Sequence, residues 1–356
     1  MSGKPCNNNA NLPVPHSRYE KSVPLADTHS ILIFGCGMNS KLVACDEGHP
    51  IGSLHLNCDT NTVSPVGESG LTVTFHGVRG STACHDPQTH RYGGNTSCVS
   101  IKSADDAPII FDLGTGLRYI NSSQSETETE LRPEPFVGTC LLTHLHWDHI
   151  QGLPFFRSLL CEETVLDIYA PKQDDGRSLR EIFLKKICPP IFPISLNEFK
   201  ATINFHEIGN DDFMIGNTKV MSRFVPHTGP TLGYRITAGD STVTYLSDHQ
   251  QPVTGFALTT GARQICQGTD LLIHDSQYTP AEFEFKSDWG HSTLEFAMWV
   301  AETTSAKRLA LFHHDPSRTD DAIDVIAQRL AGVAKNRGFE VFAAAEGMSV
   351  EVCGVV

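Results

Sequence analysis

Short runs of alternating apolar and polar residues dominate the chain from about residue 71 onward. The run Leu71-Thr72-Val73-Thr74-Phe75 alternates with period two, which is typical of a half-buried β-strand. Other short apolar runs predict further strands: 98–101, 109–112, 136–142, 242–246, 271–273 and 308–312. Several of these runs stop one or two residues before Gly or Asp, so we expect a strand-rich protein with many tight turns.

Three segments have the pattern of helices: 178–186, 292–303 and 319–334. The last two begin with Ser or Thr, which are preferred at the N-cap of a helix. Strands outnumber helices, and the helices lie between the later strands. The sequence therefore predicts a layered α+β protein.

Residues 1–70 lack this regularity. The first 29 residues contain many Asn, Pro and Ser and have no periodicity. Two short apolar pieces, 31–34 and 42–44, follow and are broken by Gly. We therefore expect an N-terminal extension over 1–70, partly flexible and with a few short strands, and one large domain over 71–356.

Composition and charge exclude several classes of protein. The formal charge of −14 argues against a nucleic-acid partner, because such proteins usually carry a basic patch. No apolar stretch approaches the roughly 18 residues that a membrane helix needs, and residues 1–11 lack the apolar run of a secretory signal. We therefore expect a cytoplasmic protein without a membrane partner.

The 11 Cys form no CxxC pair, and free, buried thiols are expected for Cys98, Cys140, Cys161, Cys188 and Cys353.

The loop His144-Leu145-His146-Trp147-Asp148-His149 contains four potential metal ligands within six residues. His144 and His146 are two residues apart at the end of a predicted strand, so their side chains point to the same side and can share one ion. Asp148 and His149 follow where the chain has left the strand, so they can face a second ion. The loop therefore predicts a site for two metal ions.

Two ions need more ligands than one loop supplies. His227 lies in a turn after an apolar run, and Asp248 and His313 each follow a predicted strand. The ends of strands are where sites gather in layered folds of this kind. His249 and His314 are equally suitable by residue type, so the residues alone do not choose between these neighbours.

The His-x-His-x-Asp-His pattern resembles the metallo-β-lactamase superfamily, and the surrounding segments look like its phosphodiesterase branch, which includes ribonuclease Z and cyclic-phosphate phosphodiesterases. The resemblance runs from about Leu71 to the C-terminus. Its most specific stretches are 77–81, 93–97, 111–116, 227 with 233–235, 247–248, 290–293 and 311–313. It implies a four-layer αββα sandwich.

The resemblance also implies the ligand set. One ion would be bound by His144, His146 and His227. The other would be bound by Asp148, His149 and His313, and Asp248 would bridge both. His313 is preferred to His314 because this branch has its last ligand immediately at the strand end. A set of N and O donors without thiolate suits Zn²⁺ best and leaves Mn²⁺ and Fe²⁺ open.

Other residues receive roles from the same resemblance. His291, in Gly290-His291-Ser292-Thr293, would be a proton donor or electrostatic stabiliser for the leaving group; the alternative is a residue that only caps the following helix. Asp148 would also accept a proton from the nucleophilic water. Arg79 is a candidate phosphate contact, with support of its Gly-rich turn as the alternative. Asp112 would order the ligand loop through hydrogen bonds. The same role is expected for Asp275, with an ordinary strand-end residue as an equal alternative.

Two divalent ions about 3.5–4 Å apart lower the pKa of a shared water and supply a bridging hydroxide. The sequence thus favours a binuclear phosphodiesterase for a small phosphodiester, expected to be cyclic, such as a cyclic nucleotide. Enzymes like ribonuclease Z carry a long arm for transfer RNA, typically between the strand of the Gly-Tyr-Arg motif and the bridging Asp. In this chain the corresponding segment, Arg235 to Asp248, has room only for a hairpin. With the acidic charge, this argues against structured RNA.

Two alternatives stay open for the activity: an acyl hydrolase of the lactonase or thioesterase type and, less favoured, a ribonuclease Z-like endonuclease. A homodimer is also left open. The apolar segments 153–156 and 189–193 could form the wall of a substrate pocket, or they could pack in the core.

Overall fold

The computed structural model describes residues 70–104, 106–121 and 133–354. The predicted N-terminal extension over 1–70 lies outside the described residues, except for Gly70. Within the described ranges, no helix is both long enough and apolar enough to cross a membrane.

Seven strands form the first sheet: β1 (Leu71–Gly77), β2 (Cys98–Lys102), β3 (Ile109–Phe111), β4 (Val137–Leu141), β5 (Val165–Pro171), β6 (Thr202–Ile208) and β14 (Ser349–Val352). Their order is β14-β1-β2-β3-β4-β5-β6. The pairs β3–β4, β4–β5 and β5–β6 are parallel, and the pairs from β14 to β3 are antiparallel. Strands β1, β3 and β4 therefore end at the same edge of the sheet.

The second sheet contains the other seven strands: β7 (Asp212–Ile215), β8 (Thr218–Phe224), β9 (Leu232–Ala238), β10 (Ser241–Leu246), β11 (Leu271–Asp275), β12 (Arg308–Phe312) and β13 (Glu340–Ala343). Their order is β13-β12-β11-β10-β9-β8-β7. Strands β10 to β13 are parallel, and β9 is antiparallel to both β8 and β10. Strands β8, β10, β11 and β12 thus share one edge at their carboxyl ends.

The inner faces of the two sheets pack on each other through a buried aromatic core. Phe111 stacks on Tyr245 with ring centroids 4.5 Å apart, and Phe312 contacts both Tyr245 and Phe75. These four side chains have no exposed surface. Burying an apolar side chain of this size contributes about 1.5–3 kcal/mol, so this layer accounts for much of the stability of the sandwich.

The helices cover the outer faces of the sheets: α1 (Trp147–Ile150), α2 (Leu179–Lys186), α3 (Thr260–Cys266), α4 (Pro280–Lys286), α5 (Leu294–Thr303) and α6 (Asp320–Arg337). Apolar residues of α2 join the core outside the first sheet, and those of α3, α5 and α6 join the core outside the second. The result is the four-layer αββα sandwich that the sequence predicts.

The predicted strands and helices are found close to their expected bounds. The helix expected over 319–334 extends to Arg337, where Gly338, with φ of 84°, ends it. Helices α1, α3 and α4 and five strands (β5, β6, β7, β13 and β14) were not predicted. Strand β8 was expected only as the apolar run before His227, and β9 only as one strand of the hairpin before Asp248.

The prediction for the cysteines is correct only in part. All seven described cysteines are free, and Cys98 and Cys140 are buried as expected. Cys161 and Cys188 are half-buried, however, and Cys353 is exposed. A position beside an apolar run therefore does not guarantee burial: Cys161 and Cys188 lie just after helical segments, and Cys353 follows the edge strand β14.

Candidate metal centre

The His144–His149 loop is held in place by Asp112, which directly follows strand β3 with φ of 58°. Its Oδ1 accepts hydrogen bonds from the backbone N (2.8 Å) and the hydroxyl (2.9 Å) of Thr143. Its Oδ2 accepts from His149 Nδ1 (2.8 Å) and from the Tyr245 hydroxyl (2.9 Å). Asp112 has no exposed surface, so these four bonds replace the water that a buried carboxylate would lose.

One cluster of donor atoms consists of His144, His146, His227 and Asp248, whose potential ligand atoms all lie within 4.8 Å of one another. Nδ1 of His146 is 3.1 Å from Nε2 of His227. Oδ1 of Asp248 is 3.9 Å from Nε2 of His144 and 3.8 Å from Nε2 of His227. These four residues come from three different strand ends.

A second cluster consists of Asp148, His149 and His313. Nε2 of His149 is 3.2 Å from Oδ2 of Asp148, and Nε2 of His313 is 3.4 Å from the same oxygen. Oδ2 of Asp248 lies 3.0 Å from His149 Nε2 and 3.2 Å from His313 Nε2. Asp248 therefore turns one oxygen to each cluster.

Hydrogen bonds at the other ring nitrogen fix the tautomers of these histidines. His149 Nδ1 donates to the Asp112 carboxylate, and His227 Nδ1 donates to the Gly290 carbonyl at 2.7 Å. The Thr143 hydroxyl donates to Asp112 and so accepts from His144 Nδ1 at 3.0 Å. Each ring therefore directs its Nε2 into the site, and that nitrogen can bind a metal ion once it is unprotonated.

These Nε2 lone pairs point at one another and at carboxylate oxygens. Among the described residues, Nε2 of His144, His149 and His313 is buried and has no hydrogen-bond partner. Lone pairs that converge in a buried space repel unless a cation lies between them. The donor set therefore fits divalent metal ions, and its imidazole and carboxylate groups match the preferences of Zn²⁺, Mn²⁺ and Fe²⁺.

The acid–base properties of the site agree with this arrangement. Burial lowers the pKa of His144 well below its usual value, which keeps the ring neutral and able to bind metal. Burial would also lower the pKa of His149, but the carboxylates of Asp148, Asp248 and Asp112 raise it. Burial would raise the pKa of Asp248, but His313 and His149 hold it well below its usual value. The same carboxylate charge that stabilises protons on the rings favours divalent cations.

His291 lies at the edge of both clusters. Its Nδ1 donates to Asp275 Oδ2 at 2.9 Å and is 3.6 Å from Asp248 Oδ1. The ring stacks on His313 at 5.0 Å between centroids. Burial would lower the pKa of His291, but the Asp275 carboxylate raises it above its usual value. Because Asp248, His291 and His313 also form a group of potential ligands, a metal-binding role competes with a proton-donating one.

The neighbours that the sequence left open lie outside the clusters. Nδ1 of His249 is 2.9 Å from Nε2 of His274 in the core, and Nε2 of His314 is 3.0 Å from the Ala344 carbonyl. His313 itself has φ of 59°, so the backbone bends sharply between it and the strand. The two clusters therefore include Asp248 and His313 rather than the residues that follow them.

The prediction that Arg79 contacts a phosphate does not fit the geometry. The side chain is 0% exposed and donates to the carbonyls of Gly93 (2.7 Å), Asp315 (3.2 Å) and Arg318 (2.7 Å). It also lies 3.6 Å from Asp320. With its donors directed at these loops, Arg79 ties together the segments around the site, which is the alternative role that the sequence left open.

Two supporting residues had no role assigned from the sequence: Gln277 gave no signal, and Ser81 was noted only as part of the stretch 77–81. Gln277 Oε1 is 2.8 Å from His313 Nδ1, and Gln277 Nε2 donates to the Ser81 hydroxyl at 3.2 Å. The backbone N of Ser81 donates to Asp148 Oδ2 at 2.8 Å. Neither residue type is typical of a metal ligand, and Gln277 is far from its partners along the chain, so only the fold reveals this connection.

The comparisons with known proteins agree with this fold. A model of the beta-lactamase superfamily domain matches residues 109–314, more than half of the 356-residue chain. Ribonuclease Z of Streptococcus pneumoniae is 29% identical over 266 residues, covering 62% of this chain and 83% of that protein.

Two solved structures are similar in fold. The metallo-beta-lactamase fold protein YhfI from Bacillus subtilis has a TM-score of 0.56 and 20% identity, covering 80% of this chain and 100% of that chain. A diphosphatase from the PhnP family has a TM-score of 0.55 and 18% identity, covering 80% of this chain and 98% of that chain.

Proposed function

This chain belongs to the beta-lactamase superfamily, and we propose that it is a metal-dependent phosphodiesterase with two divalent ions that acts on a small, cyclic phosphodiester. The observation that carries this proposal is the position of Asp248. Its Oδ1 faces the cluster of His144 and His227, and its Oδ2 faces that of His149 and His313. A carboxylate shared in this way suits a pair of adjacent ions.

The proposed ligands divide into three for each ion, with Asp248 common to both. The first ion would be held by His144, His146 and His227. The second would be held by Asp148, His149 and His313. When bound, two such ions lower the pKa of water and offset the charge of a phosphoryl group.

The chain's own residues supply the proton transfers. We propose that His291 donates a proton from Nε2 to the leaving oxygen, because its Nδ1 is engaged by Asp275 at 2.9 Å. The Asp275 carboxylate orients the ring and stabilises its charged form. Asp148, whose Oδ2 is fixed by the Ser81 backbone N, would accept a proton from the attacking water as well as bind metal.

The connection between strands β9 and β10 supports a small substrate. The strands pair directly up to Ala238 and Ser241, so Gly239 and Asp240 alone make the turn. No arm for a large RNA extends from this position. The formal charge of −14 also disfavours a polyanionic partner.

A second candidate, a ribonuclease Z-like endonuclease, is favoured by the relative from Streptococcus pneumoniae. The name of that relative conflicts with our expectation that this chain has no structured nucleic-acid partner. The two candidates share the same metal chemistry and differ in the size of the substrate. They are therefore separated by substrate selection rather than by the ligand set.

The full chain, loaded with Zn²⁺ or Mn²⁺, is expected to hydrolyse bis(p-nitrophenyl) phosphate. A panel of 2′,3′- and 3′,5′-cyclic nucleotides, a transfer RNA precursor, a lactone and a thioester would then be compared by kcat/KM. The proposal predicts the highest value for a cyclic nucleotide. Preferred cleavage of the RNA precursor would establish the second candidate, and turnover of the lactone or thioester alone would refute both.

The variant Asp248→Asn tests whether phosphodiester turnover depends on the carboxylate shared by the two clusters. The variant keeps the size of the side chain but removes the shared negative charge. We expect it to lose both phosphodiester turnover and paired metal binding, measured as metal content per chain. Full activity in this variant would contradict the proposed bridging role.

A further inference from the structure

An exposed tryptophan, Trp289, lies beside the candidate centre. It directly precedes Gly290, whose carbonyl accepts a hydrogen bond from His227, and it is two residues before His291. Its side chain is 60% exposed. A large aromatic ring in water at the edge of a site is a frequent sign of a ligand surface.

The indole of Trp289 is positioned by a cation. The Lys286 ammonium is 5.5 Å from the centroid of the Trp289 ring and 4.8 Å from that of Tyr278. It also lies 3.4 Å from Oδ2 of Asp315, which is buried. Lys286 thus links the indole to a fixed part of the fold.

This arrangement continues to the reacting groups. The Tyr278 ring has no exposed surface and contacts the His291 ring edge-on, with centroids 5.6 Å apart. Trp289, Lys286, Tyr278 and His291 therefore form one connected row of contacts from solvent to the His291 ring.

We propose that Trp289, held by Lys286, forms a subsite that stacks against an aromatic base of the substrate on the leaving-group side of the centre. This proposal rests on the proposed phosphodiesterase function and narrows its substrate class to esters that carry a nucleobase. A base stacked on an aromatic side chain gains enough free energy to change affinity by about fivefold to more than a hundredfold.

Two other exposed aromatic residues are weaker candidates for this role. Trp147 is 53% exposed, but within the described residues its indole has no aromatic or cationic neighbour to hold it. Phe155 is 60% exposed and contacts Phe192 at 5.8 Å. Phe155 belongs to segment 153–156, which was considered as a pocket wall. Within the part of the chain that the structure describes, no ring contact connects Trp147 or Phe155 to His291. Pre-organisation by Lys286 therefore favours Trp289.

The test compares two probes that share a sugar phosphate and differ in the base: AMP and ribose 5-phosphate. Dissociation constants would be measured by calorimetry on the full, metal-loaded chain. We expect wild-type protein to bind AMP more tightly. Trp289→Ala should raise the Kd for AMP about tenfold and leave that for ribose 5-phosphate within twofold, whereas Trp289→Phe should retain most of the affinity.

Phe155→Ala is the matched control, because Phe155 and Trp289 have the same exposed fraction. It should change neither Kd. Equal affinity of the two probes in wild-type protein, an unchanged AMP Kd in Trp289→Ala, or an equal loss in Phe155→Ala would overturn the subsite. Because binding is measured without turnover, a protein that fails to hydrolyse phosphodiesters but discriminates these probes would refute the proposed function and support the subsite.

Discussion

Gln277 Oε1 lies 2.8 Å from Nδ1 of His313. The Gln277 amide N also donates to Ser81, whose backbone N donates to Asp148. One amide side chain thus orients two of the proposed ligands of the second ion. It does so without adding charge, unlike the carboxylate of Asp112 that orients His149.

Replacement of Gln277 should therefore weaken the second ion selectively. Gln277→Ala removes the acceptor for His313 Nδ1, and we expect metal affinity or activity to fall about 10- to 100-fold, as is typical of residues that orient ligands. Gln277→Glu keeps an acceptor and should retain metal. Metal content and kcat would be measured, with the exposed Gln267→Ala as control. Equal metal content in Gln277→Ala and wild type would contradict this role.

Two glycines allow the proposed ions to be separated. A Cβ at Gly80 would lie 2.4 Å from His313 Nδ1, and a Cβ at Gly290 would lie 2.4 Å from His227 Nδ1. Gly80→Ala should therefore displace a ligand of the second ion, and Gly290→Ala a ligand of the first. We expect each variant to contain about one metal ion per chain fewer than wild type, measured by elemental analysis.

The control for Gly290→Ala is Gly229→Ala. Both positions have positive φ, 93° and 89°, but a Cβ at Gly229 has no atom within 4 Å. Both variants therefore introduce backbone strain, but only Gly290→Ala introduces a clash with His227. Loss of metal in Gly229→Ala as large as in Gly290→Ala would show that strain, rather than displacement of His227, is responsible.

The sequence was informative where structure is encoded locally. The strand before His144 and the spacing of His144 and His146 are both local features, and the structure brings these rings into one cluster. Asp248 and His313 could be proposed because parallel strands carry their functional loops at one edge. The four-layer arrangement came from the resemblance rather than from periodicity.

Other features depend on the path of the chain in three dimensions. The choice between His313 and His314 is made by a backbone bend, with φ of 59° at His313, which no composition reveals. Arg79 looked like an anion contact because it lies in a Gly-rich turn, but the carbonyls that bind it come from distant loops. Gln277 and Lys286 were missed for the same reason.

His291→Ala tests whether this ring donates a proton or binds metal. As a proton donor, its loss should lower kcat about 100-fold or more, within the usual range for general acid catalysis, and leave metal content unchanged. His291→Ala should be less impaired with p-nitrophenyl esters than with cyclic nucleotides, because p-nitrophenolate leaves without a proton. Loss of one ion per chain would instead assign His291 to the ligand set with Asp248 and His313.

The stability of the protein should depend on pH through His76. Its Nε2 lies 2.8 Å from the Ser100 hydroxyl, and burial, together with Lys102, lowers its pKa from 6.5 to about 4. The fold therefore favours the neutral ring. The neutral ring's contribution to the free energy of unfolding is present above pH 6.5. It is lost as the pH falls towards 4, because the imidazole is protonated in the unfolded chain before it is protonated in the folded one. Between pH 7.5 and 5.0 the loss is about 2 kcal/mol.

His76→Asn should remove that part of the pH dependence. The free energy of unfolding would be measured in urea at both pH values, with a chelator present so that metal release does not contribute. The decrease from pH 7.5 to 5.0 should be smaller in His76→Asn than in wild type by about 2 kcal/mol. His85→Asn, at an exposed position, should behave like wild type. An unchanged pH dependence in His76→Asn would refute the assignment.

Metal binding should stabilise the fold, because buried lone pairs of His144, His149 and His313 have no other partner among the described residues. A ligand at 100 times its Kd stabilises the native state by about 2.7 kcal/mol. With an unfolding entropy of about 2.1 cal/mol/K per residue, that corresponds to a rise in Tm of roughly 4–5 °C. Calorimetry would compare chelator-treated protein before and after addition of Zn²⁺. Asp248→Ala should show a much smaller rise, since it removes the shared charge. An equal rise in that variant would mean that Zn²⁺ stabilises the protein at another site.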